Sequence, residues 1–433
     1  MNMKDARKTW RVGVAGLGTV GGGLLGFLAE RPDYAPAGGR AVVTGVSARS
    51  RSRPRPVDIS SLAWFDDPVA LAQSPDIDIF VELVGGSDGP AKAAVEAALE
   101  AGKAVVTANK ALIAEHGAEL AALAEAKGVP LLFEAAVMGG VPAVKTVREA
   151  LVGEDIRSLS GILNGTCNYI LTEMEASGSA FADVLAEAQR LGYAEADPTM
   201  DVGGFDAAHK ITILAALAFG GAPNFAAAEV EGIASVDLLD IRLAGDLGYR
   251  VKLIASAEKA GEGARVRVRP FLVRKDHPIA QANGALNALF IEGGRIGRIY
   301  LQGPGAGAGP TAAAVAADIA DVMTGAVRPV FQGPAAGLSP CAPSAGSAAE
   351  GRAYIRVMVR DEPGVLAAVS EELAEAGVSI ESFLQKPPGE APGVPIVMTT
   401  HAVAEAVLEA AVARIGRLPA VLEPPRLLHI AGI

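Results

Sequence analysis

The chain has 433 residues, a formal net charge of −11, half of its residues hydrophobic and a fifth charged. That is a globular balance, long enough for two or three domains, and the acidic surplus excludes a general nucleic-acid binder, whose phosphate contacts need clustered Lys and Arg. The only two cysteines, Cys167 and Cys341, exclude a disulfide scaffold and fit a reducing compartment.

The polar start, Met1–Arg11, carries no apolar stretch of the kind that opens a secretory signal. Ile299–Ala317 is long and uncharged but is broken throughout by Gly and Pro, so no membrane span is expected. A soluble, cytoplasmic protein with no membrane partner is the expectation. Short apolar runs then alternate with helical patterns. Strands are expected at Arg11–Ala15, Ala41–Ser47, Ile77–Val84, Ala104–Thr107 and Pro130–Ala136, with helices at Gly18–Glu30, Ala91–Ala101 and Ala111–Lys127. This order implies βαβ units and a parallel sheet.

The middle of the chain reads differently. Helices are expected at Asn168–Ala176, Ala180–Leu191 and Phe205–Phe219, followed by strands at Arg265–Val273, Ala285–Ile291 and Arg298–Leu301. Segregated helices and strands imply an α+β unit. A glycine-rich turn, Gly303–Gly309, opens an Ala-rich helix through Met323. Val327–Glu350 is rich in Pro, Gly, Ala and Ser and reads as a linker. The remainder alternates as strand Arg352–Arg360, helix Pro363–Ala376, strands Val378–Gln385 and Val394–Thr400, helix Ala402–Ile415 and strand Ala420–His429. That is the βαββαβ order of a ferredoxin-like module.

Gly16-Leu17-Gly18-Thr19-Val20-Gly21 matches G-x-G-x-x-G between a strand and a helix, the context that gives the pattern meaning. Gly16 permits the tight turn, Gly18 the approach of a pyrophosphate, and Gly21 the close packing of helix on strand. The helix N-terminus offers free N–H groups to the phosphates. A carboxylate for the ribose is expected about 20 residues later in an NAD site. Here the end of the second strand reads Ser47-Ala48-Arg49-Ser50-Arg51, without a carboxylate. Guanidinium groups pair a 2′-phosphate, so NADP(H) is expected in preference to NAD(H), with Arg49 the first contact and Arg51 the second. A solvated basic loop is the other reading of these arginines.

From about Arg11 to Val327 the chain resembles homoserine dehydrogenase. Beyond the glycine turn, the resemblance rests on Glu82-Leu-Val-Gly-Gly86, Thr107-Ala-Asn-Lys110, Glu134-Ala-Ala-Val-Met-Gly-Gly-Val-Pro142 and Gly161-Ile-Leu-Asn-Gly-Thr-Cys-Asn168. It continues in Leu191-Gly-Tyr-Ala-Glu-Ala-Asp-Pro198 and Asp206-Ala-Ala-His-Lys210. It implies reversible reduction of aspartate semialdehyde to homoserine with NAD(P), a step of threonine, methionine and isoleucine biosynthesis. It also implies that Lys210 is the acid at the aldehyde oxygen, since an ammonium both stabilises an alkoxide and protonates it. Asp206 lies one helical turn before it, on the same face. Lys110, read as the end of a strand, is the second lysine, close to both nicotinamide and substrate; which lysine transfers the proton stays open. Glu195 and Asp206 resemble the carboxylates that bind the substrate ammonium, with Asp201 as helper, Gly192 as a backbone contact, and Asp197 starting the turn before Pro198. Gly303 and the turn after it resemble the segment that returns the chain to the cofactor domain. Backbone carbonyls at Glu134, Val137, Gly139 and Val141 match the positions at which members of the family hold a structural sodium ion.

Residues 352–433 resemble an ACT domain, most clearly in Val359-Arg-Asp-Glu-Pro-Gly364, where Asp361 is expected to cap a helix that Pro363 enters. The resemblance implies amino-acid sensing, with threonine as the effector; a dimerisation module without a ligand is the competing reading. The expected domains are a Rossmann-type NAD(P) domain at 1–143 and 303–330, an α+β substrate-binding and dimerisation domain at 144–302, a linker at 331–350 and an ACT domain at 351–433. A homodimer or homotetramer is expected. Three further readings were weighed: another NAD(P)-dependent reductase of an amino-acid-derived carbonyl; a non-catalytic dinucleotide-binding amino-acid sensor, which the presence of both lysines argues against; and a Cys-thioester semialdehyde dehydrogenase, which fails because Cys167 has no identifiable base. Cys167, Trp10 and Trp64 are therefore read as packing residues. The five histidines show no metal-ligand spacing.

Overall fold

A computed structural model describes residues 8–31, 34, 39–261, 263–325, 327–342, 350–385 and 393–433. Most of the polar start and part of the expected linker, 343–349, therefore lie outside the described residues. The first sheet is built from β1 (Thr9–Ala15), β2 (Arg40–Ser47), β3 (Ala63–Phe65), β4 (Ile79–Glu82), β5 (Ala104–Thr107) and β6 (Leu131–Leu132), in the order β3-β2-β1-β4-β5-β6, all parallel. Its helices are α1 (Thr19–Glu30), α2 (Pro68–Gln73), α3 (Pro90–Glu100) and α4 (Lys110–Lys127). Alternation along β4 sends Ile79 and Val81 to one core and Phe80 to the other, so both faces are covered, as a parallel sheet requires. The expected strand Pro130–Ala136 is shorter than its apolar run: only Leu131–Leu132 pairs, and the chain turns into α5 (Ala135–Met138) and α6 (Ala143–Lys145).

The second sheet takes β7 (Ile156–Ile162), then, after helices α7 (Gly165–Ser177), α8 (Phe181–Arg190), α9 (Thr199–Val202) and α10 (Phe205–Phe219), a short β8 (Glu229–Val230). Helix α11 (Leu238–Asp246), β9 (Tyr249–Ala260), β10 (Gly263–Arg274), α12 (Pro278–Gln281), β11 (Leu286–Gly293) and β12 (Gly297–Pro304) follow. Strands β7 and β9 and helix α11 were not expected from the sequence. The chain then returns to the first sheet as α13 (Ala308–Thr324), which packs on α1. Gly23 makes that approach close: a Cβ there would lie 2.6 Å from the Ala308 carbonyl oxygen.

The C-terminal elements are β13 (Glu350–Val359), α14 (Val365–Glu375), β14 (Ile380–Gln385), β15 (Val394–Thr400), β16 (Val403–Ala404), α15 (Glu405–Ile415) and β17 (Arg426–Ile430). Their main sheet order, β17-β13-β15-β14, is the ferredoxin-like one. This sheet does not stand apart. Strand β17 pairs in parallel with β10, Phe271 against His429 and Leu272 against Ile430, so the two sheets run on as one of 11 strands. Buried ion pairs lock the joint. The Arg356 guanidinium donates to Asp240 (2.6 Å), Asp237 (3.0 Å) and Glu423 (2.7 Å), and the Tyr354 hydroxyl donates to Asp240 (2.8 Å). Arg267 and Arg269 both reach Glu405, at 2.7 and 2.9 Å.

The described part of the expected linker is also packed: Phe331 is buried against Phe133, the Ala222 N–H donates to the Ser339 carbonyl (2.8 Å), and the Cys341 N–H donates to the Ala222 carbonyl (2.9 Å). Asp361 does not cap α14. The helix starts four residues later behind Gly364, whose φ of +89° makes the turn without a side-chain cap. Among the described residues no helix is long and apolar enough to cross a membrane.

Candidate active site

The carboxyl ends of β1, β4 and β5 lie level, with Ala15 beside Glu82 and Glu82 beside Thr107. That edge is where open parallel sheets bind ligands. Gly16 takes φ +94°, and a Cβ on it would lie 2.3 Å from the Leu83 carbonyl oxygen. A Cβ on Gly21 would lie 2.0 Å from the Gly16 oxygen, whereas one on Gly18 would meet nothing within 4 Å. Two glycines thus serve close packing and the middle one faces open space, the division of roles a pyrophosphate-binding turn needs. Leu17 is buried, Thr19 is exposed and Val20 half-buried at the start of α1.

Glu82, fully buried, fixes the neighbouring loop: one carboxylate oxygen accepts from the backbone N–H groups of Val84 (2.7 Å) and Gly85 (3.0 Å), the other from the Thr107 hydroxyl (2.5 Å). Its motif was noticed in the sequence but this bracing role was not. Arg49 and Arg51 are exposed in the loop after β2. Arg55 shapes that loop by donating to the carbonyls of Arg51 (3.1 Å) and Arg53 (2.9 Å), and lies 5.5 Å from the centre of the Trp64 ring.

Lys110 does not end a strand. Strand β5 stops at Thr107, and Lys110 is the first residue of α4, behind an Asn109 cap that accepts from the Leu112 N–H (3.1 Å) and donates to the Gly86 carbonyl (2.7 Å). From there its ammonium reaches Asp206 Oδ1 at 2.8 Å, with 41% of the side chain exposed at the cleft mouth. Lys210 is deeper. Its ammonium donates to Asp206 Oδ2 (2.7 Å) and to the Leu163 carbonyl (2.8 Å). Asp206 therefore holds one lysine on each oxygen. Burial alone would push its carboxyl up, but the Lys210 and Lys110 charges hold it well below the usual range. Asp206 raises Lys110 above its ordinary value. Burial pulls Lys210 below its own, with the Lys110 charge pulling the same way against Asp206.

Around this pair, Asn164 Nδ2 donates to Asp201 Oδ1 (2.7 Å) and to Asp206 Oδ2 (2.8 Å). Burial and the Asp206 charge raise the Asp201 carboxyl. Glu195 and Gly192 lie exposed in the segment between α8 and α9, whose carbonyls at Glu195 and Ala196 accept from Gln189. The Glu195 charge is felt by Lys110. Asp197 accepts from the Thr199 N–H (3.1 Å) and hydroxyl (2.6 Å) across Pro198, the residue that enters α9. The Cys167 thiol is buried, donates to the Asp201 carbonyl (3.1 Å), and is pushed well up by burial, the opposite of an activated nucleophile. Gly303 lies within β12 opposite Asn287, and Gly307, at φ +115°, is the residue that enters α13.

In the 134–141 loop the Glu134 carboxylate is already engaged, accepting from the N–H groups of Val144 (3.1 Å) and Lys145 (2.7 Å). Gly139 turns at φ +51° with its Cα against the Gly305 carbonyl. One grouping escaped sequence spacing: Asp88, Glu115 and His116 bring ligand atoms within 4.8 Å of one another. His116 is already paired there with Asp88 (3.1 Å) and Glu119 (2.6 Å).

Comparison with known proteins closes on one family. Residues 16–134 match the model described as "Homoserine dehydrogenase, NAD binding domain", 142–320 the one described as "Homoserine dehydrogenase", and 353–420 the ACT domain. The homoserine dehydrogenase of Pseudomonas aeruginosa is 44% identical over 427 residues, covering 96% of this chain and 98% of that protein. That of Neisseria gonorrhoeae is 42% identical over 434 residues, covering 98% and 99%. The crystal structure of a homoserine dehydrogenase from Thiobacillus denitrificans superposes with a TM-score of 0.90 at 41% identity, covering 98% of this chain and 99% of that one. A hyperthermophilic archaeal homoserine dehydrogenase in complex with NADPH matches with a TM-score of 0.65 at 28% identity, over 74% of this chain and 99% of that one.

Proposed function

The chain belongs to the homoserine dehydrogenase family, and we propose that its cleft reduces L-aspartate 4-semialdehyde reversibly to L-homoserine with NADP(H) preferred over NAD(H). The observation that carries this reading is the Asp206 carboxylate, with a lysine ammonium on each oxygen, 2.7 and 2.8 Å away. A bound reduced nicotinamide supplies hydride to the aldehyde carbon. Lys210 has three N–H bonds; among the described residues two are taken by Leu163 and Asp206, which leaves the third to protonate the developing alkoxide. Its lowered ammonium is the readier donor of the two lysines. Lys110, at the mouth, stabilises charge on the same oxygen and borders the nicotinamide. Glu195, Asp206 and Asp201 receive the substrate ammonium, and Gly192 contributes a backbone contact.

Gly16 to Gly21 cradle the pyrophosphate, with Gly303 at the far wall, and Arg49 and Arg51 pair the 2′-phosphate; the absence of a carboxylate after Ser47 supports that preference. Carbonyl oxygens of Glu134, Val137, Gly139 and Val141 would hold a sodium ion, whose role is to stiffen the loop. The all-oxygen donor set suits a hard cation; the Glu134 carbonyl accepts from the Val137 N–H (3.5 Å) and the Val141 carbonyl from the Ala143 N–H (2.7 Å), each with a second lone pair left for the ion.

The domains are divided at 1–143 with 303–330, 144–302, 331–350 and 351–433, in a cytoplasmic enzyme of threonine, methionine and isoleucine biosynthesis. It assembles as a homodimer or homotetramer through the substrate domain. The ACT domain senses threonine.

Steady-state assays with aspartate semialdehyde and each nicotinamide cofactor, with and without millimolar threonine, test these points together. Saturable NADPH oxidation slowed by threonine is expected. No turnover removes the substrate assignment, equal use of NADH removes the cofactor preference, and unchanged rates with no calorimetric heat remove the sensing.

A further inference from the structure

Asn164 is buried between β7 and α7, and its side chain is engaged on both ends. Its Oδ1 accepts from the Cys167 N–H at 2.7 Å, the N-cap bond of α7. That bond fixes the orientation of the amide, so Nδ2 faces the cleft. Each of its two N–H groups takes a different carboxylate: Asp201, from α9, at 2.7 Å and Asp206, from α10, at 2.8 Å. An N-cap needs only an acceptor, and Asp or Ser would serve equally well. Asn is the residue among these that also supplies two donors.

We propose that Asn164 is a positioning residue that clamps Asp201 and Asp206 side by side, so that the two like charges present one binding edge to the substrate ammonium. This rests on the reading of the cleft as the semialdehyde site. Without the clamp the two carboxylates repel one another and the edge opens. Charged groups face Asp201 from two elements: Asp206 and Lys210 from α10, and Lys110 from α4; the Cys167 thiol of α7 lies against its backbone carbonyl. Asp206 and burial push the Asp201 carboxyl up, while Asn164, Lys210 and Lys110 pull it down. Losing Asn164 therefore moves it further up, and the ionised pair is lost at higher pH.

Asn164→Ser and Asn164→Asp separate the clamp from the cap, because both keep an acceptor for Cys167. In Asn164→Ser, kcat/KM for aspartate semialdehyde falls at least about tenfold, the order expected from lost hydrogen bonds to charged groups. KM for NADPH stays at its wild-type value, and the acid limb of kcat/KM moves to higher pH. In Asn164→Asp the limb moves further. Wild-type kcat/KM with an unmoved limb overturns the proposal. So does a loss confined to thermal stability, which would leave Asn164 a helix cap only. A carboxylate titration of Asp201 by carbon NMR, assigned with Asp201→Asn, needs no turnover. An upward move in Asn164→Ser upholds the clamp even if the wild-type enzyme ignores the semialdehyde, and an unmoved titration refutes it.

Discussion

Two buried clusters each centre on one shared aspartate, to opposite ends. In the cleft, Asp206 is shared by two lysines, one of which keeps 41% of its side chain exposed. At the junction of the substrate and ACT domains, Asp240 is shared by Tyr354 and Arg356, whose side chains are buried, and lies 3.7 Å from Arg426. Lysine offers a mobile ammonium that can lose a proton; arginine offers a planar fork that does not. The cleft therefore keeps a proton available, whereas at the junction every guanidinium nitrogen of Arg356 is committed to an acceptor. The lesson is that a shared carboxylate marks chemistry only where a donor remains free.

The comparison breaks first at the junction. Arg356→Met leaves Asp240 buried without its main partner, and the expected loss is about 3–5 kcal/mol, the usual result of removing one member of a buried pair. Denaturant unfolding measures it, and a loss near zero would mean the joint is not a structural lock. The same variant should keep the basal semialdehyde rate of its folded fraction.

Lys252 sharpens the contrast, because its buried ammonium is held by Asn168 Oδ1 (2.9 Å) and the Ala282 carbonyl (2.8 Å), with no carboxylate bonded to it among the described residues. Burial pulls it from the usual 10.5 down to about 8. A buried lysine with a lowered value binds fewer protons in the folded than in the unfolded chain between those pH values, so its cost is relieved as pH rises. The gap is worth up to about 3 kcal/mol. Wild-type stability should gain through this residue between pH 8 and 10.5, and Lys252→Met should lack that gain in melts across the range. Parallel curves for the two proteins would contradict it.

The smallest effect is expected at the exposed edge. Arg49→Ala should weaken NADPH by about tenfold, as for one lost charged hydrogen bond, and leave NADH nearly untouched. Equal losses in the two KM values would return the loop to an ordinary solvated one.

How much of this was legible follows the same division. Most of the Rossmann sheet was readable because its strands are short apolar runs set between glycines and helices; β3 and α2 were not expected, being three and six residues long and too short to show a period. Strand β9 was hidden because Lys252 interrupts its apolar run, although the charge lies inside the core. Helix α11 was overlooked despite Asp237, which caps it and could have announced it. In the cleft, Lys110, Lys210 and Asp206 were found through the family motifs, and the i, i+4 spacing of Asp206 and Lys210 gave their shared face. Asn164 and Glu82 sat inside quoted motifs without a role, since nothing in spacing says which carboxylate an amide will meet. The Asp240–Arg356 pair is 116 residues apart, and the fold alone brings it together. The same holds for the union of the two sheets through β10 and β17, which replaced the picture of a tethered module.

The most direct test of the account is the rate of Lys210→Ala with aspartate semialdehyde and NADPH, taken beside NADPH affinity measured by fluorescence. A fall in kcat of about 10²–10⁴, the usual contribution of a positioned acid, with cofactor affinity unchanged is the predicted result. A near-wild-type kcat would show that the proton comes from elsewhere and that the two-lysine cluster is structural.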